Sequence, residues 1–171
     1  QLADIRRTFP IILCMAQMKE YQKICRPMEI KPKKNLDVSI IDSLKCFEIL
    51  KASKDAHLVD VRTKPEWQFV GVPDLSIINK NAIFISWQDF PFMSKNNNFE
   101  KEIANAGLKK NDHIYFICRS GQRSLEAANH LIKKGYNYCY NITDGFEGDK
   151  NFRNRRSTIN GWKFNRLPWK Q

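Results

Sequence analysis

Cys118 stands at the end of the apolar run Ile114-Tyr-Phe-Ile117 and opens the segment Cys118-Arg-Ser-Gly-Gln-Arg-Ser124. A thiol delivered by a buried strand to the start of a helix, with Arg119, Gly121 and Arg123 crowding the next five positions, is placed to react. Helix N-termini and neighbouring cations favour the thiolate, the nucleophilic form of cysteine. The unpaired N–H groups of such a loop form a nest for an anion. A small apolar core residue is the usual role of a free cysteine, but a core thiol wants apolar neighbours, and this loop offers donors. The candidate site is therefore Cys118 as nucleophile, with Arg119, Ser120, Gly121, Gln122 and Arg123 binding an anionic substrate or the species formed on the thiol.

Loop length narrows the anion. Four residues separate Cys118 from Arg123, one fewer than in cysteine-dependent phosphate-transferring enzymes. The tighter ring leaves room for about one extra sulfur atom on the thiolate rather than a tetrahedral phosphate. Phosphatase or arsenate-reductase chemistry is disfavoured on that ground.

Strands alternating with helices must position this loop, which argues for an α/β fold with a mainly parallel sheet. Ser39-Ile-Ile-Asp42 fits a capping box ahead of a helix with Ile40, Leu44, Phe47 and Leu50 at helical spacing. Leu58–Val61 reads as a strand, and Thr63-Lys-Pro-Glu66 as a second capping box with proline in the first turn. Ala82–Ser86 is a further strand, Asn98 opens a helix over Phe99–Asn105 that Gly107 closes, and Ile114–Ile117 feeds the cysteine. The following helix turns Leu125, Ala128, Leu131 and Ile132 inward and ends at Gly135, before a strand over Tyr138–Ile142. In parallel sheets, sites lie beyond the carboxyl ends of the strands. Arg62 and Cys118 both stand at such ends, so they belong to one site.

Bulk properties fit a soluble domain. The chain has 171 residues, 42% of them hydrophobic, and five cysteines with no C-x-x-C pair; its mean hydropathy is −0.54. Neither a disulfide framework nor a zinc site is signalled, which points to a reducing compartment. The formal net charge of +11 sits at the two ends: residues 1–34 hold eight Lys/Arg against three Asp/Glu, and residues 149–171 hold seven against one. No aromatic-and-basic motif accompanies it, so no nucleic-acid partner is expected. Residues 1–35 read as a leader and linker arm, 36–148 as the domain, and 149–171 as a basic tail packed on it. Residues 6–18 resemble a short signal core but are too short for a membrane span. They read as a lead-in or docked apolar arm, which implies a cytoplasmic protein, or a periplasmic one if they act as a signal.

Leu58-Val-Asp-Val-Arg62, Glu66-Trp67, Cys118-Arg-Ser-Gly-Gln-Arg-Ser124 and Gly145-Phe146, in this order, resemble the signatures of single-domain rhodanese-like sulfurtransferases. The resemblance covers roughly residues 36–148, and Gly161-Trp-Lys163 with Leu167-Pro-Trp169 is similar to the tail of some bacterial members. It implies a mainly parallel five-stranded sheet flanked by helices on both faces. It also implies transfer of a sulfane sulfur from thiosulfate or another persulfide donor, through a Cys118 persulfide, to cyanide or a thiol. Neither cofactor nor metal is implied. A protein-to-protein sulfur relay for thiolation or iron–sulfur assembly, and a non-catalytic binding module, are the alternatives. Asp60 and Arg62 match positions that support the loop by an ion pair, Glu66 reads as a helix-capping acid, and Arg123 as a brace. The chain departs at Gly71-Val-Pro-Asp-Leu75, where many members carry Gly-His-Ile-Pro-Gly-Ala. His57, His113 and His130 are assigned no chemistry. Lys150, Arg153, Arg155 and Arg156 read as a solvated basic surface, the alternative being that they reach the pocket rim. Trp162 and Trp169 read as anchors for the tail.

Overall fold

The computed structural model describes residues 37–171. The expectations for the leader arm and its apolar segment lie outside the described residues. Elements run in the order β1 (Ser39–Ile41), α1 (Ser43–Ala52), β2 (Ala56–Asp60), α2 (Lys64–Val70), β3 (Val72–Pro73), a 3-10 turn (Ser76–Ile78), β4 (Ile83–Phe84), β5 (Gln88–Asp89), β6 (Ser94–Lys95), α3 (Phe99–Asn105), β7 (His113–Ile117), α4 (Gln122–Lys133), β8 (Tyr138–Ile142) and β9 (Trp169–Lys170). Five strands form one sheet in the order β1-β8-β7-β2-β4, and each neighbouring pair is parallel.

Strand alternation divides the core in two, since successive side chains point to opposite faces. Ile114 and Phe116 pack on one face with Val59, Phe99, Ile103, Ala127, Ala128 and Leu131, which covers that face with α3 and α4. Tyr115 and Ile117 pack on the other with Leu58, Cys46, Phe47, Leu50, Phe146 and Trp162. The β2–β7 register sets Asp60 opposite Ile117, so the chain leaves both central strands at the same level, toward Arg62 and Cys118.

Local sequence explains most elements, and some expectations need correction. Asp42, not Ser39, caps α1: its side chain accepts from the Lys45 N–H at 2.7 Å, and Ser39–Ile41 pairs with Tyr140–Ile142 as an edge strand. Ile40, read as a helix-core position, is 71% exposed. The Ala82–Ser86 strand contracts to Ile83–Phe84. Asn98 makes no side-chain cap on α3. In α4 Ala127 is fully buried, whereas Leu125 is only half-buried. His57 and His113 lie within β2 and β7 rather than ahead of them.

Two small pairings have no counterpart in the sequence reading. Gln88–Asp89 and Ser94–Lys95 form an antiparallel hairpin. Val72–Pro73 pairs with Trp169–Lys170, so the segment that departs from the family pattern binds the end of the chain. Trp162 is fully buried, its indole N–H donating to the Pro168 carbonyl at 2.8 Å, while Trp169 is 40% exposed. Among the described residues no helix is long and apolar enough to cross a membrane.

Candidate active site

The loop that follows β7 wraps around the Cys118 sulfur. Gly121 takes φ +89 and caps α4, a conformation that disfavours a side chain. Its N–H donates to Cys118 Sγ at 3.2 Å. The Ser124 hydroxyl, in the first turn of α4, lies 3.2 Å from the same sulfur and 3.1 Å from the Gly121 carbonyl. Of the backbone amides of residues 119–123, that of Gly121 is the one hydrogen-bonded to the thiol. Ser124 is the contact that sequence reasoning passed over. Its position six residues after the cysteine, opening the helix, is the signal that could have found it.

A second turn holds the loop from beneath. The Cys118 carbonyl accepts from Phe146 N at 2.8 Å, and the Arg119 carbonyl accepts from Glu147 N and Gly148 N at 3.0 and 3.1 Å. Gly145, at φ +60, lies so close that a Cβ there would sit 2.6 Å from the Arg119 carbonyl oxygen. Asp144, before it, accepts from the Ser43 N–H and hydroxyl at 2.9 and 2.5 Å. Burial pushes its carboxyl upward and the Ser43 bonds oppose that shift.

The two arginines of the loop diverge. Arg123 forms a two-pronged pair with Glu66 at 2.8 and 2.6 Å, whereas Arg119 is exposed. Glu66 Oε2 also accepts from the Thr63 N–H and hydroxyl, both at 2.9 Å. Glu66 thus caps α2 and ties it to α4. Burial alone would raise the Glu66 carboxyl, but the Arg123 and Thr63 bonds hold it down at about 2. The sign follows from linkage: a carboxylate depressed in the fold contributes stability above its unfolded value near 4.5, lost as pH falls toward 2. We expect Glu66→Gln to lower stability by about 1–2 kcal/mol at neutral pH once solvent screening is allowed for. That difference should fade between roughly pH 4.5 and 2, measured by urea unfolding across pH.

Asp60 and Arg62 form a fully buried pair beside the loop. Arg62 Nη2 lies 2.6 Å from Asp60 Oδ2 and 2.8 Å from the Gly71 carbonyl, and its guanidinium covers the Phe146 ring at 4.0 Å. The pair therefore links the end of β2 to the start of β3 and to the turn under Arg119.

Cys118 is 1% exposed, yet it lines a cleft of about 540 Å³. The cleft is bounded by Thr63, Pro65 and Glu66 from α2 and its cap, by Arg119, Ser120, Gln122 and Arg123 from the loop, and by Gln88, Phe90 and Met93 from the hairpin. The hairpin wall was not anticipated. Lys150, Arg153, Arg155 and Arg156 are absent from the lining; Arg156 donates to the Gly148 carbonyl, and the Arg153 guanidinium lies over Phe152. No histidine lines the cleft either. Cys46 and Cys139 are buried free thiols in the two cores. Burial raises both, Cys139 to about 12, which keeps them protonated and inert. Among the described residues no group of three or more His, Cys, Asp or Glu side chains is placed to hold a metal ion.

Known proteins similar to this chain match it over most of its length. The uncharacterized protein RC0915 of Rickettsia conorii is 44% identical over 135 residues, covering 78% of this chain and 98% of its own. A protein named sulfurtransferase from Allochromatium vinosum is 28% identical over 108 residues, covering 63% of this chain and 84% of its own. The crystal structure of Rv0390 from M. tuberculosis superposes with a TM-score of 0.71 at 36% identity, covering 79% of this chain and 98% of its own. The model of the rhodanese-like domain matches residues 44–151, a span that runs from α1 through the cysteine loop to the turn beneath it, and the chain belongs to the rhodanese-like family.

Proposed function

We propose that the protein is a sulfurtransferase that carries a sulfane sulfur as a persulfide on Cys118. The observation that supports this most directly is the pair of donors, the Gly121 N–H and the Ser124 hydroxyl, each 3.2 Å from Cys118 Sγ at the wall of the cleft. In the first step the Cys118 thiolate attacks the sulfane sulfur of thiosulfate. The new S–S bond forms as the bond to the sulfonate sulfur breaks, and sulfite leaves with that electron pair. In the second, an acceptor such as cyanide attacks the outer sulfur, the S–S electron pair returns to Cys118, and thiocyanate departs. Splitting one transfer into two displacements is covalent catalysis.

Donors fixed before the reaction stabilise charge on sulfur without reorganising, a contribution of roughly 3 kcal/mol each at comparable sites. Arg119, the exposed cation of the loop, draws the anionic donor in, and Arg123 braces the loop through Glu66. Asp60 and Arg62 support the site without touching substrate.

Intact-mass analysis after mixing with thiosulfate tests the proposal. The wild type is expected to gain one sulfur atom that cyanide removes, and Cys118→Ser to gain none. A folded wild type that never acquires the adduct would refute thiosulfate as the donor. Loading from a protein persulfide alone would then favour the relay reading.

A further inference from the structure

The chemistry at Cys118 makes no use of the segment that follows its supporting turn. Residues 149–160 hold four bases, Lys150, Arg153, Arg155 and Arg156, against one acid, Asp149. Among the bases stands Phe152, whose side chain is 89% exposed. A single apolar side chain in solvent needs no explanation by itself. Here, however, the backbone is built to hold it out. Asn151 Oδ1 accepts from the Arg153 and Arg155 N–H groups at 2.8 and 3.0 Å, and the Asn151 N–H donates to the Arg155 carbonyl at 2.8 Å. Asn160 closes the base of the segment: its Oδ1 accepts from the Asp149 N–H at 2.8 Å and its Nδ2 donates to the Asp149 carboxylate at 2.9 Å. The Ser157 N–H donates to the Glu147 carbonyl at 2.6 Å. Asn154 and Ser157 both take φ +57, a left-handed conformation that side chains seldom adopt. Phe152 is therefore presented by a closed, hydrogen-bonded turn.

Charge decides what such a turn meets. The one acid is bonded to Asn160, and Arg156 reaches back to the Gly148 carbonyl. Lys150, Arg153 and Arg155 are exposed, and the Arg153 guanidinium lies 5.1 Å from the centre of the Phe152 ring. An apolar ring and long cationic side chains on one turn suit the surface of an anionic bilayer. There a ring can enter the boundary of the acyl chains while the cations stay among the phosphates. A nucleobase wants an open aromatic face to stack on, and the guanidinium already covers one face of this ring. A folded protein partner needs a complementary shape, which one protruding ring does not make. Fluid lipid needs none.

We propose that residues 149–160 dock the protein on an anionic phospholipid surface, with Phe152 inserted at the interface and Lys150, Arg153 and Arg155 on the lipid phosphates. The docking is independent of the sulfur chemistry at Cys118.

The test is co-sedimentation of the full chain with vesicles of half phosphatidylglycerol and half phosphatidylcholine, and of phosphatidylcholine alone, at about 0.15 M salt, where distant charges are screened. The wild type is expected to bind the anionic vesicles at least about tenfold more tightly. Phe152→Ser should weaken that binding about five- to tenfold, and Lys150→Gln/Arg153→Gln about ten- to thirtyfold. Lys101→Gln/Lys109→Gln removes the same charge beside α3, which covers the opposite face of the sheet from Trp162, and should change binding less than about twofold. Urea midpoints equal to that of the wild type show that the variants fold. In Phe152→Trp, lipids brominated on their acyl chains should quench more fluorescence than in the wild type. Equal loss of binding in the two charge pairs would reduce the effect to net charge and overturn the proposal, as would undiminished binding of Phe152→Ser. Binding of a single-stranded oligonucleotide as tight as that of the vesicles, and lost in the same variants, would assign the turn to nucleic acid instead.

Discussion

Replacing Asp60 by alanine should destabilise the protein by about 3–5 kcal/mol, the usual result of leaving one member of a buried ion pair without its partner. Asp60 accepts four hydrogen bonds from Arg62: one from its backbone N–H at 3.0 Å, two from Nε at 2.9 and 3.1 Å, and one from Nη2 at 2.6 Å. Both side chains are 0% exposed, so water cannot replace what is lost. With Asp60 gone, Arg62 keeps only the Gly71 carbonyl and the Phe146 ring, while its Nη1 already lacks a partner. A domain typically has only about 5–15 kcal/mol of net stability, so the loss should appear as a large fall in the urea midpoint. The double change Asp60→Leu/Arg62→Met, which removes the stranded charge as well, should recover much of it. A cost below about 1 kcal/mol for Asp60→Ala would mean that the pair is not what joins β2 to the turn below the cysteine loop.

The parts of this arrangement that could be read from sequence are those in which one physical cause dominates. Tyr138–Ile142 and the strand entering Cys118 were legible because they are short, apolar and bounded by turn residues, and they emerge with bounds within a residue of those expected. Thr63 and Glu66 were legible as a helix cap because the reciprocal bonds need only a fixed spacing. The hairpin at Gln88–Lys95 was not legible. Phe90, Phe92 and Met93 are exposed, and apolar residues held out in solvent produce neither a period-two nor a helical pattern. Ser39–Ile41 failed for the opposite reason: Ile40 satisfies a helical spacing with Leu44 and Phe47 by chance, and only the pairing of this segment with Tyr140–Ile142 shows it to be a strand. The pairing of Val72–Pro73 with Trp169–Lys170 joins segments almost a hundred residues apart, which no local pattern encodes. Within the site, the cysteine and its glycine announced themselves, whereas Ser124 did not. A hydroxyl's role depends on where the first helical turn aims it.

Gly121→Ala is expected to reduce the rate of persulfide formation from thiosulfate by about 100-fold or more. Two costs coincide at this position. The backbone sits at φ +89, and an added Cβ would lie 2.3 Å from the Thr143 carbonyl oxygen. Main chain at β8's exit cannot step aside as a flexible side chain could, because the Thr143 N–H is tied to the Ile41 carbonyl at 3.0 Å. The loop must shift instead, and with it the N–H that donates to Cys118 Sγ. Gly107→Ala separates the two effects. That glycine has φ +84 with nothing within 4 Å of the added carbon, so it carries the conformational cost alone, about 1–2 kcal/mol of stability, and should load sulfur at the wild-type rate. Measuring unfolding and loading on both variants therefore distinguishes strain from displacement of the donor. If Gly121→Ala loaded as fast as Gly107→Ala, the close packing of this loop against Thr143 would be irrelevant to catalysis, and the Ser124 hydroxyl and Arg119 would have to stabilise the sulfur anion unaided.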